Sequence, residues 1–174
     1  MKSRFTRRWL LAFPVALIAD TQPQHLRESQ RVGFTGVGPV RIGMTEKRVR
    51  AVLNDRVERT DLEADCSYLT LDASGIAFML LNSRVARVDV TRGHWRTDSG
   101  AGIGTSETEI HRLYPRVRTE PHPYFSAGEG YYLRVSPSEP QLKNYELIFE
   151  TEHGAVTSFR AGLSRAVALI EGCA

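Results

Sequence analysis

Metal-ligand spacings, catalytic motifs, long apolar runs and an excess of one charge are all missing from this 174-residue chain. Its five histidines include no His-x-His and no pair four residues apart, which excludes the zinc-helix arrangement. The two cysteines, Cys66 and Cys173, have no second Cys or His at ligand spacing. There is no Gly-x-Ser-x-Gly elbow. Gly36-Val37-Gly38 is followed by Arg41 where a dinucleotide fingerprint needs glycine, and the glycines at 100, 102 and 104 lack the Lys-Ser/Thr pair of a phosphate loop. No catalytic residue, cofactor or metal ligand is therefore assigned, and the expectation is a protein that is not an enzyme.

Charge excess disappears once its position is considered. The formal +3 comes from 23 Lys and Arg against 20 Asp and Glu, but Lys2, Arg4, Arg7 and Arg8 open the chain. Without them the balance is 19 against 20. No basic stripe remains, so nucleic acid is excluded as a partner. The apolar run at 9–19 is eleven residues, broken by Pro14, and falls short of the roughly 20 that span a bilayer.

Basic-then-apolar is the order of a signal peptide, which predicts a leader at 1–19, a periplasmic or secreted protein and no stable membrane span after signal removal. Thr6-Arg7-Arg8-Trp9-Leu10-Leu11 also fits twin-arginine export. Leu17, where a small residue is usual before cleavage after Ala19, leaves an uncleaved anchor as the alternative. In an oxidising compartment, an even cysteine count favours a Cys66–Cys173 disulfide over free thiols.

What the chain does have is a phrase that occurs twice. Gly38-Pro39-Val40-Arg41-Ile42-Gly43-Met44-Thr45 leads into Val49, Val52 and Leu53; Gly100-Ala101-Gly102-Ile103-Gly104-Thr105-Ser106 leads into Ile110, Leu113 and Tyr114. Self-similarity of this kind points to a duplicated scaffold. Thr45 and Ser106 are N-caps for two short helices with one apolar stripe each, and Glu109 completes a capping box in the second copy. Gly43 and Gly104 supply the backbone freedom where strand becomes helix.

Each copy is followed by a hairpin. The first runs 76–81, turns at Asn82-Ser83 and returns over 85–91, where Val85, Val88 and Val90 break strict alternation and predict a bulge or a reversed position. The second runs 145–151, turns at Glu152-His153-Gly154 and returns over 156–160. Tyr145, Leu147 and Phe149 alternate with Glu146, Ile148 and Glu150, the pattern of a sheet with one covered and one open face. Residues 56–64 are a weak candidate for a further helix. The expected fold is α+β: two tandem repeats, each a short helix packed on an antiparallel sheet. The expected organisation is a leader at 1–19, a flexible lead-in at 20–33, a first repeat at 34–97 and a second at 98–174.

The second copy carries about ten extra residues. Here Pro121-His122-Pro123-Tyr124-Phe125 and Gly128-Glu129-Gly130-Tyr131-Tyr132 gather four aromatics on a Gly/Pro-shaped stretch. Tyrosine buries much area for little rotamer loss, so Tyr124, Phe125, Tyr131 and Tyr132 are candidate binding residues, with Trp95 a further candidate after the first hairpin. The alternative is that these rings are core and strand residues. The histidines read as solvated loop residues.

Ile42-Gly43-Met44-Thr45 and Ile103-Gly104-Thr105-Ser106, with the spacing of their apolar stripes, resemble the secreted bacterial domains related to the outer-membrane assembly lipoproteins of the SmpA/OmlA type. The tandem layout is similar to the beta-lactamase inhibitor protein family. That resemblance implies a non-catalytic binding module. The functional expectation is a binding or inhibitory module for a protein partner in the envelope or outside the cell. The alternatives are an envelope-maintenance factor that binds peptidoglycan or outer-membrane assembly components, and a small hydrolase with a dispersed site.

Overall fold

The computed structural model describes residues 22–63, 65–71 and 74–173, so the expected leader at 1–19 lies outside the described residues. Short strands β1 (Arg31–Gly33), β2 (Gly36–Val37) and β3 (Val40–Arg41) precede helix α1 (Glu46–Val52). Four longer strands follow: β4 (Val57–Glu63), β5 (Cys66–Leu71), β6 (Ile76–Leu81) and β7 (Arg84–Val90). After β8 (Arg96–Thr97) and α2 (Glu107–Leu113) come β9 (Arg118–Pro121), β10 (Gly130–Val135), β11 (Tyr145–Glu152) and β12 (Ala155–Leu163), and then α3 (Ser164–Val167).

Two separate helix-on-sheet repeats do not form. The protein is mostly β, 44% strand against 14% helix, and its centre is one antiparallel sheet of eight strands in the order β4-β5-β6-β7-β12-β11-β10-β9. The physical reason lies at the middle of that sheet. β7 and β12 pair directly, with Val90 opposite Phe159, Asp89 opposite Arg160 and Val88 opposite Ala161. Each hairpin thereby gives up a free edge, and unpaired edges are costly or hazardous. Helices of seven residues cannot form a layer of their own and serve as plugs on the sheet. Residues 57–63 are the edge strand β4 rather than a helix.

Local expectations fare better. Thr45 and Ser106 cap α1 and α2, accepting from the backbone N–H of Arg48 and Glu109. The capping box is only half made, because the Glu109 carboxylate turns to Arg112. Both lead-ins dock alike: Gly43 N–H donates to Val85 O at 2.7 Å, and Gly104 N–H to Val156 O at 2.8 Å. Gly43 and Gly104 have φ of +91° and +82° with open space around them, so conformation alone demands glycine there. Asn82 and Ser83, both at positive φ, make a tight hairpin turn that follows the strand twist. The broken alternation in β7 is a bulge: Met79 pairs with Arg87 but Leu80 with Val85, leaving Ala86 over.

The main core lies on the helix-bearing face. Val49, Val52 and Ile110 from the helices meet Leu69, Phe78, Val88, Leu133, Phe149 and Phe159 from the sheet. A second sheet, β3-β2-β1-β8, closes this side with Val32, Val37 and Val40.

The opposite face is not open to water as the alternation in β11 predicts. Glu146 and Ile148 are buried there, because α3 and the chain beyond it cross the sheet. That crossing ends in a disulfide from Cys173 to Cys66 on β5, with Cα atoms 5.4 Å apart. Cys66, Met79, Ala86, Ala166 and Cys173 form a small second core around it.

A bridge closing a loop of this length stabilises by about 4–5 kcal/mol in the chain-entropy picture. The Cys66→Ser/Cys173→Ser variant should lose stability of that order by denaturant titration, and limited proteolysis should cut first within residues 168–173. A loss below about 1 kcal/mol would show that the tail is held by its other contacts.

Candidate functional site

The surface of interest is built where the tail crossing the second face meets the loop between β9 and β10. Two buried arginines fix the tail. Arg87 on β7 donates through Nη1 to the carbonyls of Ala166 and Leu169, both at 2.8 Å. Arg160 on β12 donates through Nε to Val167 O at 2.7 Å. These carbonyls lie at the end of α3 and in the turn after it, where Ala166 O already accepts from Leu169 N–H at 3.2 Å and Leu169 O from Gly172 N–H at 3.4 Å; the guanidinium groups add charge-assisted donors and meet the negative end of the turn.

Each arginine is neutralised on the sheet. Arg87 Nε lies 2.9 Å from Asp89, and Arg160 bonds Glu150. Arg87 Nη2 also donates to the Tyr68 hydroxyl at 2.6 Å. Further along the same face, Glu146 takes Arg134 at 2.6 Å and Arg118 at 3.1 Å.

The loop closes over the end of this ladder. His122 is buried and stacks on Phe125 with ring centroids 4.3 Å apart, lies tilted against Tyr132 at 4.6 Å, and sits edge-on to Tyr124 at 5.8 Å. Its Nδ1 accepts from Tyr124 N–H at 3.3 Å, which leaves Nε2 facing Glu150 at 4.0 Å. Arg160 lies over the Tyr132 ring at 5.1 Å. Gly130 makes the close approach feasible: a Cβ there would sit 2.3 Å from the Phe125 ring.

The Tyr124 hydroxyl then bonds Glu171, tying loop to tail. Large apolar side chains left exposed among the described residues are Tyr124 (64%), Phe125 (37%), Leu169 (40%) and Ile170 (43%). Two come from the loop and two from the tail segment that holds Glu171.

The expected binding residues thus separate. Tyr124 and Phe125 are exposed at this junction. Tyr132 is buried beneath it, and Tyr131 points to the other face, half-buried against the main core. Trp95 is a core residue, 1% exposed, with its indole N–H donated to Ser74 O at 2.8 Å, so it has no surface to offer.

His122, Glu150, Arg160, Leu169, Ile170 and Glu171 escape a reading of local sequence. The one available signal for the tail is Cys173: a disulfide to Cys66 obliges the last residues to run back across the sheet. Two other histidines have a close carboxylate: exposed His153 lies 3.7 Å from Glu152, and His25 is bonded to Asp55 at 2.8 Å and to Asn54 at 3.0 Å, so both His25 ring nitrogens are occupied. Among the described residues, no three His, Cys, Asp or Glu side chains converge in a way that could hold a metal ion.

No family model, characterised protein or solved structure matches this chain. The arrangement on the second face must therefore be read from its own chemistry. Burial pushes the Asp89 carboxyl above the usual carboxylate pKa range, disfavouring its charged form, with Arg87 opposing. The Tyr132 hydroxyl is raised by burial and then by Glu150, and that of Tyr124 by its bond to Glu171. Tyr68 is pushed up to about 12 by burial and then by the Asp89 carboxylate.

Tyrosine in an unfolded chain ionises near 10. The neutral Tyr68 phenol therefore supports the fold fully below about pH 10, and that support is lost as pH rises through about 12. Tyr68→Phe should cost about 1.5–3 kcal/mol at neutral pH for the bond to a charged donor. Its unfolding free energy should then fall less steeply than wild type across that alkaline window. Parallel pH profiles in denaturant titrations would show that Tyr68 is not the group responsible.

Proposed function

We propose that the chain is a non-enzymatic binding or inhibitory module, acting on a protein partner in the cell envelope or outside the cell. One observation carries this reading. The large apolar side chains exposed on the described surface lie in two segments far apart in sequence, and the Tyr124–Glu171 bond joins those segments. Exposed aromatics on a rigid support are what interfaces use as anchors, since ordering them costs little entropy. The support here is rigid because Tyr132, His122 and the Arg160–Glu150 pair lie packed beneath.

Separate observations support the proposed compartment. The disulfide fits an oxidising environment. No helix among the described residues is long and apolar enough to cross a membrane. The basic-then-apolar leader adds an export route to that picture.

A photo-crosslinking side chain in place of exposed Ser126 would mark the partner in intact cells. With the marked protein purified, Tyr124→Ala/Phe125→Ala should weaken binding at least about tenfold, the effect of losing a little over 1.4 kcal/mol from an anchor pair. Circular dichroism should show the fold retained. Unchanged affinity overturns the reading, as does cosedimentation with purified peptidoglycan in place of any protein adduct.

A further inference from the structure

A cavity of about 510 Å³ opens where the chain enters β11 and where β12 gives way to α3. Lys143, Asn144, Leu163, Ser164 and Arg165 line it, and none of them belongs to the aromatic and tail surface. Its size falls within the roughly 300–1,000 Å³ of small-ligand sites. The walls are fixed to each other: Ser164 N–H donates to Asn144 O at 2.8 Å, and Tyr145 pairs in register with Leu163.

The lining has one sign of charge. Lys143 and Arg165 bring two cations, and no carboxylate of the described residues lines the space. The polar side-chain groups of Lys143, Asn144, Ser164 and Arg165 make no hydrogen bond or ion pair with any described residue. Other cavities differ in this respect. Beside α2, Arg112 is already bonded to Glu109 at 2.5 Å and Arg96 to Ile103 O at 3.1 Å. In the cavity under Pro115, Arg116 is bonded to Ser138. Of these three cavities, the one at the β12–α3 junction is lined by two cations, an amide and a hydroxyl that have no hydrogen-bond partner among the described residues.

We propose that this cavity binds an oxyanion, a carboxylate or phosphate carried by a small ligand. The Arg165 guanidinium and Lys143 ammonium would supply charge-assisted bonds, the first as a planar fork and the second as a point charge. The Ser164 hydroxyl and Asn144 amide add neutral donors to the lining. Leu163 is the apolar surface for whatever adjoins the anionic group. The carboxylate and phosphate differ in shape and charge, so the preferred probe identifies the ligand's head.

Inorganic phosphate and succinate, each titrated against chloride at matched ionic strength, test this by amide NMR shifts in the exported chain. The expected result is a saturable shift confined to residues around 143–145 and 163–166 with one of the two probes. Lys143→Ala/Arg165→Ala should weaken that binding at least tenfold, whereas Lys47→Ala, which removes an exposed cation on α1, should leave it unchanged. Both cavity cations are exposed, so the double variant should fold as wild type, with its remaining amide shifts as the check. No saturable shift with either probe, or equal binding by wild type and the double variant, overturns the proposal.

Discussion

Two guanidinium groups buried between sheet and tail are the constraint on which the rest of the structure depends. Arg87 and Arg160 project from the central strands β7 and β12 into a space from which water is removed. A buried charge without partners is untenable, and even a paired one needs its remaining donors satisfied. Asp89 and Glu150 cancel the charge, but each arginine keeps further N–H groups to place. The carbonyls at the end of α3 take them. The tail therefore has one position on the sheet, set by hydrogen-bond geometry more than by apolar area, with the disulfide closing its far end.

That constraint also makes the surface. Leu169 carries the last of the clamped carbonyls and Ile170 and Glu171 follow it directly, so their place beside the loop is inherited from Arg87 and Arg160. On the loop side, His122 is the counterpart. Its ring is the spacer between Tyr132 on the sheet and Phe125 at the surface. Exposed rings set on a buried polar ladder can hold one arrangement before a partner arrives, which lowers the ordering cost of binding.

Features governed by near neighbours were legible in the sequence: the caps at Thr45 and Ser106, the turn at Asn82-Ser83, the bulge around Ala86, and the strands at 76–81 and 145–151. Compartment chemistry and an even count gave the disulfide. The single sheet was not legible, because pairing β7 with β12 joins segments some seventy residues apart in sequence and leaves no local periodicity. The same limit misled the reading of β11. Glu146, Ile148 and Glu150 have the alternation of a wet face, but salt bridges to Arg118, Arg134 and Arg160 let carboxylates lie under cover. Trp95 and His122 show the converse: a turn-side aromatic went to the core, and a histidine flanked by prolines became a buried packing ring.

The second face also explains how the described residues of a mostly β protein can expose four large apolar side chains without building an edge hazard. Its central strands are paired on both sides, and the charged β4 and the short, charge-bearing β9 occupy the edges. The apolar exposure is carried by a loop and a tail, whose backbones offer no continuous ladder for another strand to join. If the proposed partner binds at this junction, it does so by side-chain packing rather than by strand addition. The sheet supplies stiffness beneath the exposed Tyr124, Phe125, Leu169 and Ile170.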